Sequence, residues 1–115
     1  MIVGSSPVRL DGREKAIGQA RFIDDEQITD LLHTAVVFSP VAHGTLEALD
    51  VSAAREMPGV RTVLTAADLD EAANQIGAVR PDQPILIPIG GHIRWHGDRL
   101  ALIAAEDRAS ARRAA

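Results

Sequence analysis

Cysteine is absent from the 115 residues, and that one absence removes disulfides, thiolate zinc sites, iron-sulfur ligation and cysteine nucleophiles from anything this chain does by itself. Aromatic residues are almost as scarce: Phe22, Phe38 and Trp95 are the whole set, and tyrosine is missing. A platform that stacks nucleobases on aromatic rings cannot be built from so few. Basic charge is also short, with a formal net charge of -4. The one basic cluster, Arg108, Arg112 and Arg113, reads as a solvated helix face rather than a phosphate-binding surface, so nucleic acid is not expected as a partner. Nowhere do about 18 consecutive apolar residues occur, and "MIVGSSPVRLDGREK" holds no apolar run of the kind a signal peptide needs. A soluble, cytoplasmic setting without membrane contact is the expectation.

What remains is an apolar fraction of 46%, made of Ala, Val, Ile and Leu, in a chain sized for one core. Residues 1–30 are rich in Gly, Ser, Asp and charge, with turn signals at Asp11-Gly12 and Gly18; they read as an extended lead-in strap. The texture changes at Leu31. "LLHTAVVFSP" predicts a strand stopped by Pro40, with Val36 facing the core, and "GTLEALDV" predicts a second strand joined to it by a short connection. Asp50 or Ser52 caps a short helix, "SAAREM", that Pro58 and Gly59 terminate. "VRTVLTA" is strand again, and Thr65 caps a helical turn in "AADLDEAAN".

The stretch "GAVRPDQPILIPIGG" holds three prolines, which suits an irregular loop with a short edge piece at 85–89. "HIRWHGDRLALIAA" offers two short strands about a turn at Gly97-Asp98. Glu106 or Asp107 then opens a last helix that runs to Ala115 without a Gly or Pro terminator, the pattern of a domain excerpted at its C-terminal end.

Candidate chemistry is thin. His92 and His96 are four apart on a segment read as extended, where about 3.3 Å per residue puts them roughly 13 Å apart, too far to share one ion. Asp24, Asp25 and Glu26 are adjacent carboxylates in a loop, which are ordinarily solvated. Ser5, Ser6 and Ser39 lack a nucleophile-elbow setting, and Gly90-Gly91 reads as a turn rather than a nucleotide cradle. No catalytic, cofactor-binding or metal-binding residue is assigned.

One resemblance covers nearly the whole chain. The ordered set "VRLDGREKAIGQARFIDD", "LLHTAVVFSPVAHGTLEALDVSAAREMPGVRTVLTAADL" and "RWHGDRLALIAAEDRASARRAA" resembles the start of the molybdenum-binding large subunit of the xanthine dehydrogenase and aldehyde oxidase family. The positions that carry it are Arg9, Asp11, Lys15, Gly18, Ala20, Phe22 and Asp25, then Ser39-Pro40 with His43, then "MPGV" leading into "VLTAADL". The resemblance implies an α+β fold, the α/β-hammerhead, with a mixed sheet and two to three short helices over 31–115. It also implies that 1–30 is an entry strap able to lie against other parts of an enzyme.

That family hydroxylates purines, aldehydes or related heterocycles at a molybdopterin-bound molybdenum, and electrons leave through iron-sulfur clusters and flavin (FAD). By resemblance those groups, and the catalytic glutamate, belong to other regions of the parent enzyme. The implied partners are the remaining domains of the same large subunit and the iron-sulfur and flavin domains or subunits, with self-association expected of the isolated domain. A free-standing hammerhead acting as an assembly module is the other reading.

The chain departs from the family at "WHGDRLA", residues 95–101, where an aromatic, an apolar residue and Gly-Gln-Pro are usual: Trp95 and Gly97 match, while His96, Asp98 and Arg99 do not. Asp98 replaces an amide donor, and Arg99 replaces a fixed proline angle. The residues expected to contact other domains are Arg9, Asp11, Lys15 and Asp25 in the strap, and Trp95, His96 and Asp98 at the divergent turn.

Overall fold

The computed structural model describes residues 3–115. Its frame is a three-stranded sheet of β1 (His33–Phe38), β3 (Val60–Thr65) and β7 (Arg99–Ala105), in the order β1-β7-β3. The apolar, partly β-branched runs read from the sequence are these three strands, and β7 lies between the other two. Both ladders are antiparallel, so β1 and β3 run the same way on either side of β7 without touching. A mixed sheet was expected; at the level of bonded pairs, the described ladders are antiparallel.

Register decides which side chains meet. Val37 lies opposite Ala101, Ala35 opposite Ile103, and Val63 opposite Ile103 from the other side. This face carries the core: Val63, Ala101 and Ile103 are buried against Val51, Ala54 and Ala114. Those partners come from α2 (Ser52–Arg55), α3 (Arg108–Ala114) and the approach to α2, so both helices cover one face. The alternate residues form a second row, Val36 opposite Leu102 opposite Leu64, half-buried and outside both buried clusters. Val36 was expected to face the core. Because side chains alternate along a strand, its neighbour Val37 takes that place.

Two small ladders complete the body. β2 (Gly44–Thr45) pairs with β6 (His92–Ile93), and β4 (Gln75–Ile76) pairs with β5 (Gln83–Pro84). The second strand expected over 44–51 is therefore only two residues long, and its partner is β6 rather than β1. A bulge between Val37 and Phe38 leaves Leu100 without an opposite residue, and Leu100 joins Leu46, Ile87 and Ile93 in a second buried cluster. The edge piece expected at 85–89 falls at 83–84 instead. Residues 85–89 follow side-chain packing, with Leu86 and Ile87 buried and Ile87 N–H donating to the Arg99 carbonyl at 2.8 Å.

Local signals account for the helix ends. Asp50 Oδ1 accepts from Ser52 N–H at 2.9 Å ahead of α2, which stops before Pro58. Gly59 then turns at φ +84, and a Cβ there would lie 3.0 Å from the Ser110 hydroxyl, so only glycine lets α3 come this close. Asp107 caps α3, its Oδ1 accepting from Ser110 N–H at 2.9 Å and its Oδ2 from the Ser110 hydroxyl at 2.6 Å.

Residues 3–30 hold α1 (Gly12–Ala16) and a 3₁₀ turn (Ile23–Asp25), two short pieces where an extended segment was expected, and they contribute no buried residue. The radius of gyration is 20.5 Å, against about 13 Å for a compact chain of this length. Asp30, at φ +60, precedes the run into β1.

Candidate functional site

The strap candidates form a local knot. Asp11 bonds the Arg9 guanidinium through both oxygens and lies 2.7 Å from Lys15 Nζ one helical turn later. Arg9 first, and Lys15 second, hold the Asp11 carboxyl below the usual carboxylate value. All three side chains are well exposed, so the knot stiffens the strap more than it stabilises the fold. Asp25 Oδ2 accepts from Phe22 N–H at 2.9 Å and closes the 3₁₀ turn. Arg21 and Glu26 pair at 3.3 Å beside it.

Apolar side chains between these pairs stand in the open. Val8 is 91%, Leu10 101% and Ile23 89% exposed, so the described chain leaves them almost wholly open. Scattered exposed apolar residues are ordinary, but an arm whose described residues are all exposed or at most half-buried has the composition of a surface made to be covered.

The divergent turn is built differently. Asp98 is buried: its Oδ2 accepts from Arg94 N–H at 2.7 Å, its carbonyl accepts from Ser39 N–H at 2.7 Å, and its own N–H donates to the Trp95 carbonyl. Asp98 thus faces inward and fixes the turn, while Trp95 and His96 project from its tip. Gly97, at φ +106, brings the turn back under the Trp95 ring, 3.6 Å from where a Cβ would stand. Arg99 does not merely lose a proline angle: its Nε donates to the Ile85 carbonyl at 2.9 Å and holds the proline-rich loop. Sequence reading missed Arg94 and Arg99, because their partners depend on a fold in which residues 14 apart meet. Among the described residues, no hydrogen bond or ion pair links the strap candidates to the turn candidates.

A half-open cavity of about 430 Å³ lies between the turn at 66–76 and the proline-rich loop, lined by Leu69, Gln75, Ile87, His92 and Arg94 among others. Asn74 on its wall is tied to the Leu86 main chain, donating to its carbonyl and accepting from its N–H, each at 2.8 Å. Ser39 closes a turn through Val41, its hydroxyl donating to the Val41 carbonyl and accepting from the Val41 N–H. Among the described residues, no group of three His, Asp or Glu side chains gathers to hold a metal. The polar side chains on the cavity wall are Glu71, Asn74, Gln75, His92 and Arg94.

The matching family profile is the one described as aldehyde oxidase and xanthine dehydrogenase, a/b hammerhead domain, and it takes in residues 17–115. The chain belongs to that family. The hammerhead is 33% identical over 105 residues to the nicotinate dehydrogenase large molybdopterin subunit of Eubacterium barkeri, covering 91% of this chain and 24% of the relative. It is 30% identical to the xanthine dehydrogenase molybdenum-binding subunit of Escherichia coli O157:H7, over 94% of this chain and 15% of that one. In three dimensions it matches the aldehyde oxidoreductase of Desulfovibrio desulfuricans with a TM-score of 0.85 and 33% identity, over 96% of this chain and 13% of that one. The α+β hammerhead fold is thereby shown. The chain spans a quarter or less of the length of these relatives. No helix among the described residues is long and apolar enough to cross a membrane.

Proposed function

We propose that this hammerhead works as a scaffold and interface module in the large subunit of a molybdopterin-dependent hydroxylase of the xanthine dehydrogenase and aldehyde oxidase type, in the cytoplasm, with no catalytic residue of its own. Molybdopterin and molybdenum bind elsewhere in that parent, and iron-sulfur clusters and FAD lie on neighbouring domains or subunits. The observation that carries this reading is the exposed strap: a packed body with an apolar arm that buries none of its described residues fits a part that is finished by contact with the rest of a larger protein. The body supports it too, since the second face of the sheet is apolar and only half-buried.

Within this reading the strap, residues 1–30, lies along neighbouring domains, with Arg9, Asp11 and Lys15 as its stiffened centre and Asp25 as its second fixed turn. Trp95 and His96 make the contact at the divergent turn, and Asp98 positions them from inside. The test is the mass and metal content of the native polypeptide that carries this segment, followed in its source cell with an antibody to the purified hammerhead. A band several times larger than 12.3 kDa, with molybdenum and iron in the same fraction, is expected. A metal-free band near 12.3 kDa would overturn the proposal in favour of a free-standing assembly module.

A further inference from the structure

We propose that Asp11-Gly12 is a latent isoaspartate site, a peptide link able to rearrange through its own side chain, and that the Arg9-Asp11-Lys15 knot keeps it intact. The inference stands on the local geometry of residues 8–18 and is independent of the role in a parent enzyme.

The rearrangement needs no reactant but water. The Gly12 nitrogen attacks Asp11 Cγ; the N–Cγ bond forms, the Cγ–O bond breaks, and the carboxyl oxygen leaves as water with the amide proton, which closes a five-membered imide. Water then opens the ring at either carbonyl. Opening at Cγ restores aspartate, and opening at the Asp11 main-chain carbonyl leaves isoaspartate, with the chain now running through Cγ. Glycine hinders this nitrogen least, because it has no side chain. Asp11 is the only Asp or Asn of the 115 residues that a glycine follows, and its side chain is 46% exposed.

The fold of the strap opposes each part of that reaction. Attack requires the nitrogen and Cγ to meet in an aligned, close approach. With Asp11 at ψ 3, the Gly12 nitrogen nearly eclipses the Asp11 nitrogen and is turned away from the side chain. Main-chain bonds on both sides fix this angle: Gly12 N–H donates to the Arg9 carbonyl and Lys15 N–H to the Asp11 carbonyl, each at 3.2 Å. The carboxylate is held as well, since Arg9 Nε and Nη2 donate to its two oxygens and Lys15 Nζ lies 2.7 Å from Oδ2. Cγ cannot swing to the nitrogen without breaking those bonds. A Cβ on Gly12 would stand 3.4 Å from Arg9 Cβ, so the Arg9 stem also lies against the glycine. The same two cations favour the ionised carboxyl, whose oxygen is the poorer leaving group. Once formed, isoaspartate would lengthen the main chain by one methylene and move the carboxylate off its partners, so the strap would lose its stiffened centre for good.

The test uses the native polypeptide that carries this segment, aged at neutral pH, with isoaspartate at position 11 resolved chromatographically in the tryptic peptide that ends at Arg13. A synthetic peptide of residues 8–18, too short to hold a helix in water, gives the unrestrained rate. The native polypeptide should convert about tenfold more slowly than the peptide, or slower still. Arg9→Gln combined with Lys15→Gln should restore most of the peptide's rate, while Lys15→Arg, which keeps the ion pair, should not. In strong denaturant all of these polypeptides should convert alike. A native segment that converts as fast as the free peptide overturns the proposal. So does a double variant as slow as the native segment, whose protection would then come from something other than the knot. A double variant that is also faster in denaturant, where no knot exists, overturns it too.

Discussion

At Asp107 one carboxylate closes the last helix, and its charge state is tied to that job. The Ser110 hydroxyl and then the Ser110 N–H bond its charged form and hold its pKa below the usual 3.8, with Arg113 adding to the effect. A carboxyl lowered by folding contributes stability above its unfolded value and loses it as the pH falls through the folded value. Asp68, lowered by the Thr65 N–H and hydroxyl, acts in the same direction. Asp107→Ala should therefore lower the melting temperature at pH 7 by roughly 5 °C, with the gap to the unsubstituted chain narrowing as pH drops below 3.8. Thermal melts at pH 7, 4 and 2.5 would check it; a gap that widens on acidification would contradict the sign. This cap was legible in the sequence, since it lies within three residues of its partner. Asp98 was not: nothing in "WHGDRL" says that its carboxylate turns in to the Arg94 N–H, because that depends on how residues 94–98 fold back under Ser39. Asp98 was expected to contact other domains because it stands where the family has Gln, and burial with a specific donor turns it inward instead.

Strands show the same division between what is local and what is not. β1, β3 and β7 each announce themselves by β-branched and aliphatic runs, and their limits fall close to those read from the sequence. Their order is not local: β1 pairs with β7, and the short β2 takes β6 as its partner 47 to 49 residues away, neither of which a run of apolar residues announces. The face of a strand is likewise decided by the partner that covers it, which is why Val36 was misplaced by one position. The two faces should respond differently to a buried charge. Val63, 2% exposed and packed beneath both helices, should not tolerate one; Val63→Asp buries it unpaired and should leave the chain unfolded at 25 °C. Val36→Asp, on the half-buried outer row, should still give a cooperative melt, displaced by several degrees. Circular dichroism of the two variants decides the point, and equal loss of structure in both would show the assignment of faces to be wrong.

For the whole molecule, the body and the strap answer to different forces. The body is held by burial: Ile103, Val63 and Ala101 have almost no exposed surface, and among the described residues ten apolar side chains make up the core. The strap adds none of them. Its order comes from short-range devices, the Arg9-Asp11-Lys15 knot and the Asp25 turn, whose exposed ion pairs contribute about 0 to 1 kcal/mol each. Removing residues 1–30 should accordingly leave the melting temperature within about 2 °C of the full chain, since no core contact is lost. The dimensions should change far more. The full monomer, at 20.5 Å, is drawn out by its arm, whereas a compact chain of the remaining length has a radius of gyration of about 12 Å. Small-angle scattering, recorded at concentrations where sedimentation finds monomer, separates the two. A truncated chain that melts 10 °C or more lower would mean that the strap is part of the core's support, and the interface role proposed for it would have to be given up in favour of a structural one.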